Sequence, residues 1–155
     1  NNIMLAICIG DYFNISNDHL EQSIGNYIPS NNRSQVIETK NNTLILDAYN
    51  ANPSSMKAML ISFSKQNYTN KVCILADMLE LGEHSEKEHE EITSLCKFLS
   101  LSCYFIGEEF KKVNDEAFKK RKYFEEHLQK EAIRGKTILL KGSRGIGLEK
   151  LVKYL

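Results

Sequence analysis

Four stretches of this chain, TLILDAY, KVCILADM, SCYFIG and KTILLKG, hold consecutive apolar residues with no polar alternation. A strand with one wet face alternates apolar and polar side chains. An unbroken apolar run is what a strand becomes when helices cover both faces of a parallel sheet. The segments between these runs, 53–66, 86–99 and 108–133, read as helical, so the pattern predicts an α/β fold: a three-layer, open, mostly parallel sheet. Two shorter strands are predicted at QVIE, 35–38, antiparallel at an edge, and at RKYF, 121–124.

The first thirty residues have a different character. IMLAICI is apolar throughout, and SNDHLEQSIGNY follows with Ser16 or Asn17 as a helix cap and Leu20 and Ile24 one turn apart, which predicts a short helical appendage. Pro29 and the run SNNR then break the pattern, so a boundary or hinge is expected near residues 29–33, dividing the chain into 1–30 and 31–155. The chain starts without Met in what reads as the middle of a helix, as a piece of a longer protein would. Apolar residues Ile3, Leu5, Ile7 and Ile9 are then expected either to fold back on the sheet domain or to pair with a second copy of the chain.

Composition narrows the partners. Twenty basic and twenty acidic residues cancel, which gives no field favouring nucleic acid or an anionic membrane. No apolar stretch is long enough to span a bilayer, and NNIMLAICIGDYF lacks a basic leader and a cleavage site, so a soluble, unexported, cytoplasmic protein is expected. Cys8, Cys73, Cys96 and Cys103 lie in apolar runs without the close pairing of metal knuckles, and read as buried thiols.

In open α/β sheets, ligands bind beyond the carboxyl ends of the strands. Three strands here end in polar or glycine-rich turns: DAYNANPSS, ADMLELGEHS and KGSRGIG. The first puts Asp47, Tyr49, Asn50 and Asn52 on that rim, with Pro53 opening a helix; Asn52 also suits an ordinary helix cap. KGSRGIGLEK is not a Walker A loop, but Lys141 and Arg144 at a strand end suit a carboxylate or phosphate, or else a tight turn with solvated charges. ADMLELGEHSEKEHEEI offers Asp77, Glu80, Glu83, His84 and His89 without a matched ligand set, so no protein-built metal site is expected. The basic run KKVNDEAFKKRKYFEE is flanked by acids and reads as a solvated helix face.

Together, LILDAYNANPSSMKAML, ILADMLELGE with His89, and ILLKGSRGIGLEK resemble three ordered turns of the C-terminal domain of Mur ligases. The nearest pattern is that of the members that join D-alanyl-D-alanine to UDP-N-acetylmuramoyl-tripeptide. Ala48 and Ala76 stand where serine and glycine are commoner, and GIG follows KGSR in place of a more usual segment. NNIMLAICIG resembles the end of the family's central ATPase domain, and YIPSNNRSQ its hinge.

The resemblance implies a Rossmann-like lid domain in an ATP-dependent amide ligation that proceeds through an acyl phosphate. ATP and Mg²⁺ would be held mainly by the central domain, so no catalytic residue is assigned to this chain and it is expected to be inactive alone. The family positions imply Asn2 at adenine, Arg33 at the ATP phosphates and Asp47 at the ribose, with Tyr49, Asn50 and Asn52 lining the junction. They also imply Asp77, Glu80, Lys141, Ser143 and Arg144 near the dipeptide. The alternative is a non-catalytic nucleotide-sensing or receiver-like module, in which Asp47 and Lys141 would stand for the phosphorylated acid and the later lysine; no acidic pair precedes them. A family member that takes a single amino acid is disfavoured by the YNANP turn.

Overall fold

A computed structural model describes residues 2–155. Helices α1 (Asn2–Tyr12) and α2 (Asn17–Gly25) precede β1 (Gln35–Glu38), β2 (Thr43–Asp47), α3 (Pro53–Lys65), β3 (Lys71–Ala76), α4 (Ser85–Phe98) and β4 (Ser102–Ile106). Helices α5 (Glu108–Val113) and α6 (Arg121–Lys130), β5 (Thr137–Lys141) and a 3-10 helix at Leu148–Tyr154 complete the chain. The sheet order is β1-β2-β5-β3-β4, with β1 antiparallel to β2 and every other pairing parallel.

The apolar runs are unbroken because each strand feeds two cores. Leu44, Leu46, Val72, Ile74, Ile138 and Leu140 point to one face, where Phe124 and Leu128 of α6 and Leu148, Leu151 and Leu155 cover them. Ile45, Cys73, Leu75 and Leu139 point to the other, against Met56, Leu60 and Phe63 of α3, Ile92 of α4 and Phe110 of α5. The period of two survives, but both of its phases are apolar.

Residues 121–124 are not a strand. RKYF opens α6, because Phe124 and Leu128 face the core one turn apart and Arg121 pairs with Glu125 at the same spacing. The strand-like contact falls earlier. Phe118 bridges to Ile106, its N–H donating to the Phe105 carbonyl at 2.8 Å, and this splits the predicted 108–133 helix in two.

Ser16 caps α2, as the sequence suggests. Gly10 lets α1 meet α2, since a Cβ there would lie 2.2 Å from Leu20. The apolar residues of α1 do not fold back on the sheet: Ile3, Met4 and Leu5 are 60–64% exposed. Cys8 shares that exposure and is not a buried thiol, whereas Cys73 and Cys96 are buried. The Cys96 and Cys103 thiols are pushed up, first by hydrogen bonding to a neighbouring cysteine and further by burial, which makes them poor nucleophiles. Among the described residues, no helix is long and apolar enough to cross a membrane.

Candidate functional site

The parallel pairings align the carboxyl ends of β2, β5, β3 and β4 on one edge, with Asp47 opposite Lys141 and Ala76 opposite Ile106. The three polar turns therefore share one rim, and hydrogen bonds lock them together. The Ser143 N–H donates to the Asp77 carbonyl at 3.1 Å, and the Leu79 N–H donates to Ser143 Oγ at 2.9 Å. Gly142 permits this approach, because a Cβ there would lie 2.5 Å from that of Ala76, which also accounts for a small residue at 76.

Several of the polar residues singled out in the sequence are structural parts of this rim. Asp47 accepts from the Lys141 ammonium at 2.5 Å and from the Ser34 N–H at 3.1 Å, while the Lys141 side chain is 3% exposed. Asn52 caps α3, accepting from the Ser55 N–H at 2.8 Å in a reciprocal capping box, and Asn50 accepts from the Ala51 N–H at 2.9 Å.

Asp77 lies beneath the rim, where its carboxylate accepts from the Phe110 and Glu109 N–H groups at 2.9 and 3.0 Å and so caps α5. Burial pushes its carboxyl above the usual aspartate range, against the opposing pull of those two backbone donors. Gly107, at φ 134°, is required beside it, since a Cβ would fall 2.1 Å from the carboxyl carbon. His89 clamps the same turn. Its Nε2 accepts from the Met78 N–H at 3.1 Å, which places the proton on Nδ1, 2.7 Å from the Ser85 carbonyl. The ring packs edge-on against Phe110.

What remains open at the surface is concentrated at Tyr49. The Arg33 guanidinium lies 3.9 Å from the Tyr49 ring centroid, and that of Arg144 lies 5.5 Å from it. Together with Tyr27, Ser30, Asn31 and Asn32 they line a cavity of about 390 Å³. Asn31, Asn32 and Ser34 all have positive φ, a conformation held by the Ala48 N–H donating to the Asn32 carbonyl at 2.9 Å and by the Ser34–Asp47 bond. Residues 32–34 are thus pinned to the end of β2. Glu80 is exposed at φ 67°, and Asn2 is exposed in the first turn of α1. The sequence marks Asn31 and Asn32 only as part of a hinge and does not single out Tyr27 or the Ser34 anchor; their signal as site residues is the run SNNRS, where successive asparagines tolerate the left-handed region.

Residues 32–144 match the family model described as the glutamate ligase domain of Mur ligases. The chain belongs to the Mur ligase family. Over 99% of its length this Mur ligase chain is 34% identical to the UDP-N-acetylmuramoyl-tripeptide–D-alanyl-D-alanine ligase of Bacillus subtilis, and covers 37% of that protein. Over 79% of its length it is 35% identical to the ligase of the same name from Rickettsia prowazekii, covering 29%.

Among solved structures, the Mur ligase chain superposes on the UDP-N-acetylmuramoylalanyl-D-glutamyl-2,6-diaminopimelate–D-alanyl-D-alanyl ligase from Acinetobacter baumannii with a TM-score of 0.82 at 24% identity, over 98% of this chain and 35% of that one. On MurF from Thermotoga maritima in complex with ADP the TM-score is 0.65 at 20% identity, over 88% and 35%. These likenesses establish the fold. The chain spans about a third of the length of the relatives it matches.

Proposed function

We propose that this chain is the C-terminal, acceptor-binding lid of an ATP-dependent ligase that joins D-alanyl-D-alanine to UDP-N-acetylmuramoyl-tripeptide, with residues 1–30 leading in from the ATP-binding part. The observation that carries the reading is the rim itself. The locked turns and the SNNRS segment pinned to them present a pair of guanidiniums at Tyr49 with no carboxylate partner among the described residues, and the same chain matches relatives that bear this activity in their names.

The chemistry supports the arrangement. Making an amide from a carboxylate through an acyl phosphate gathers several anions and must exclude water from an intermediate that water would destroy, so a rigid cationic lid is a suitable partner for the ATP-binding part. ATP and Mg²⁺ enter through ligands that lie mainly outside this chain. Asp47 keeps free lone pairs for a ribose hydroxyl while it holds Lys141, because a carboxylate has about four acceptor sites. Glu80 and its turn face the acceptor, while the buried Asp77, Lys141 and Ser143 shape the rim from below. The protein works in the cytoplasm, where its substrates are made.

The test is a chimera in which this chain replaces the matching third of the Bacillus subtilis ligase. Phosphate release from ATP and the tripeptide precursor is expected to depend on D-alanyl-D-alanine, and the 155-residue chain alone is expected to show none. A folded chimera that binds ATP yet accepts a single amino acid in preference to the dipeptide would contradict the proposal.

A further inference from the structure

The family pattern places Arg33 at the nucleotide phosphates and Arg144 at the acceptor. The structure puts both on one aromatic ring. Arg33 approaches Tyr49 to 3.9 Å and Arg144 to 5.5 Å, and both line the same cavity of about 390 Å³. Among the described residues, neither guanidinium has a carboxylate within ion-pair distance; the aspartates of the rim are engaged elsewhere, Asp47 with Lys141 and Asp77 with the start of α5.

Two like charges held on one surface repel, and inside a protein such a pair is normally separated or neutralised. Here it is maintained by backbone in an uncommon conformation. Asn31, Asn32 and Ser34 occupy the left-handed region on either side of Arg33, and bonds to Ala48 and Asp47 hold them there. Strain of this kind persists where the surrounding structure fixes it, and it marks functional positions.

We infer that Arg33, Tyr49 and Arg144 form one site for a phosphate group carrying at least two negative charges, with Arg144 on the phosphoryl side and not on the dipeptide side. Tyr49 is the positioning residue. Its ring lies against both planar guanidiniums and keeps them at the wall of one cavity, where two positive charges suit an anion that a single carboxylate's charge does not match. In the proposed ligation, which this inference deepens, the anion is the phosphoryl group that passes from ATP to the tripeptide carboxylate. Arg144 then links the KGSR turn to the chemistry directly.

The experiment titrates the isotopically labelled chain with inorganic pyrophosphate and, separately, with D-alanyl-D-alanine, following arginine side-chain and backbone amide resonances. Pyrophosphate is expected to shift Arg33, Tyr49 and Arg144 together. Arg33→Gln and Arg144→Gln are each expected to weaken it about tenfold, and each to make it less sensitive to salt, because each removes one screened charge–charge attraction. Tyr49→Phe should keep the affinity, and Tyr49→Leu should weaken it several-fold. Arg134→Gln, away from the cavity, is the control and should change nothing.

Unchanged pyrophosphate affinity in Arg144→Gln overturns the inference, as does a dipeptide that shifts Arg144 where pyrophosphate does not. The chimera separates this failure from failure of the functional proposal. There, Arg144→Gln is expected to lower kcat with the KM for D-alanyl-D-alanine unchanged; a raised KM for the dipeptide at constant kcat returns Arg144 to the acceptor while leaving the ligase reading intact.

Discussion

Replacing Asp47 by alanine should destabilise the whole domain, because Lys141 is left behind. The Lys141 side chain is 3% exposed and its ammonium sits 2.5 Å from the Asp47 carboxylate. Breaking a buried pair from one side costs about 3–5 kcal/mol, since an unpaired charge stays out of water. Asp47 is 17% exposed, so some solvent reaches the pair and the lower end, about 3 kcal/mol, applies.

For a chain of 155 residues, a loss of that size lowers Tm by roughly 6–12 °C, at about 2–4 °C per kcal/mol. Thermal and urea unfolding of Asp47→Ala, Lys141→Met and the double variant measure it. The double variant should recover most of the loss, with a coupling of about 2 kcal/mol, because removing both charges leaves none unpaired. A single-variant loss below about 0.5 kcal/mol, or two additive losses, would refute the claim that the pair holds β2 to β5.

His89→Ala should lower the urea midpoint by an amount equivalent to about 2–4 kcal/mol, since it orphans the Met78 N–H and empties space against Phe110; His89→Gln, which can still accept, should restore part of it. The Asp77 carboxyl should titrate above the ordinary aspartate range in a carbon-13 pH titration. Its native state then holds a proton that the unfolded chain has released, so between the unfolded value of about 4 and the raised native one its contribution to stability falls as pH rises. Titration at or below the ordinary range would show that the Glu109 and Phe110 N–H groups outweigh burial.

Sequence reasoning reached the sheet because the evidence for it is repeated. Four runs with both phases of the strand period apolar fix a doubly covered sheet, and the turns that follow them fix its functional edge. It failed at Arg121–Phe124, where a four-residue window cannot separate alternation from the start of a helix; Leu128, one turn on, decides. At the site, residue type pointed to the rim but did not tell which polar groups the protein uses on itself. Asn52 before Pro53 was legible as a helix cap, whereas Asp77 caps α5 and Ser143 ties two turns together, each through a backbone N–H that has no sequence signature. The Arg33–Tyr49–Arg144 grouping joins residues from three distant segments, which only the fold brings together.

The most direct measurement of the central claim is an amide chemical-shift map of the labelled chain with D-alanyl-D-alanine added in the presence of ADP. The rim account expects the dipeptide's changes to concentrate at Leu79–Gly82 and at Gly142 and Ser143, and those of ADP at Arg33, Asp47–Asn50 and Arg144. Changes gathered instead in the cleft of about 360 Å³ lined by Cys96, Cys103, Phe118 and His127, with the three turns silent, would contradict it.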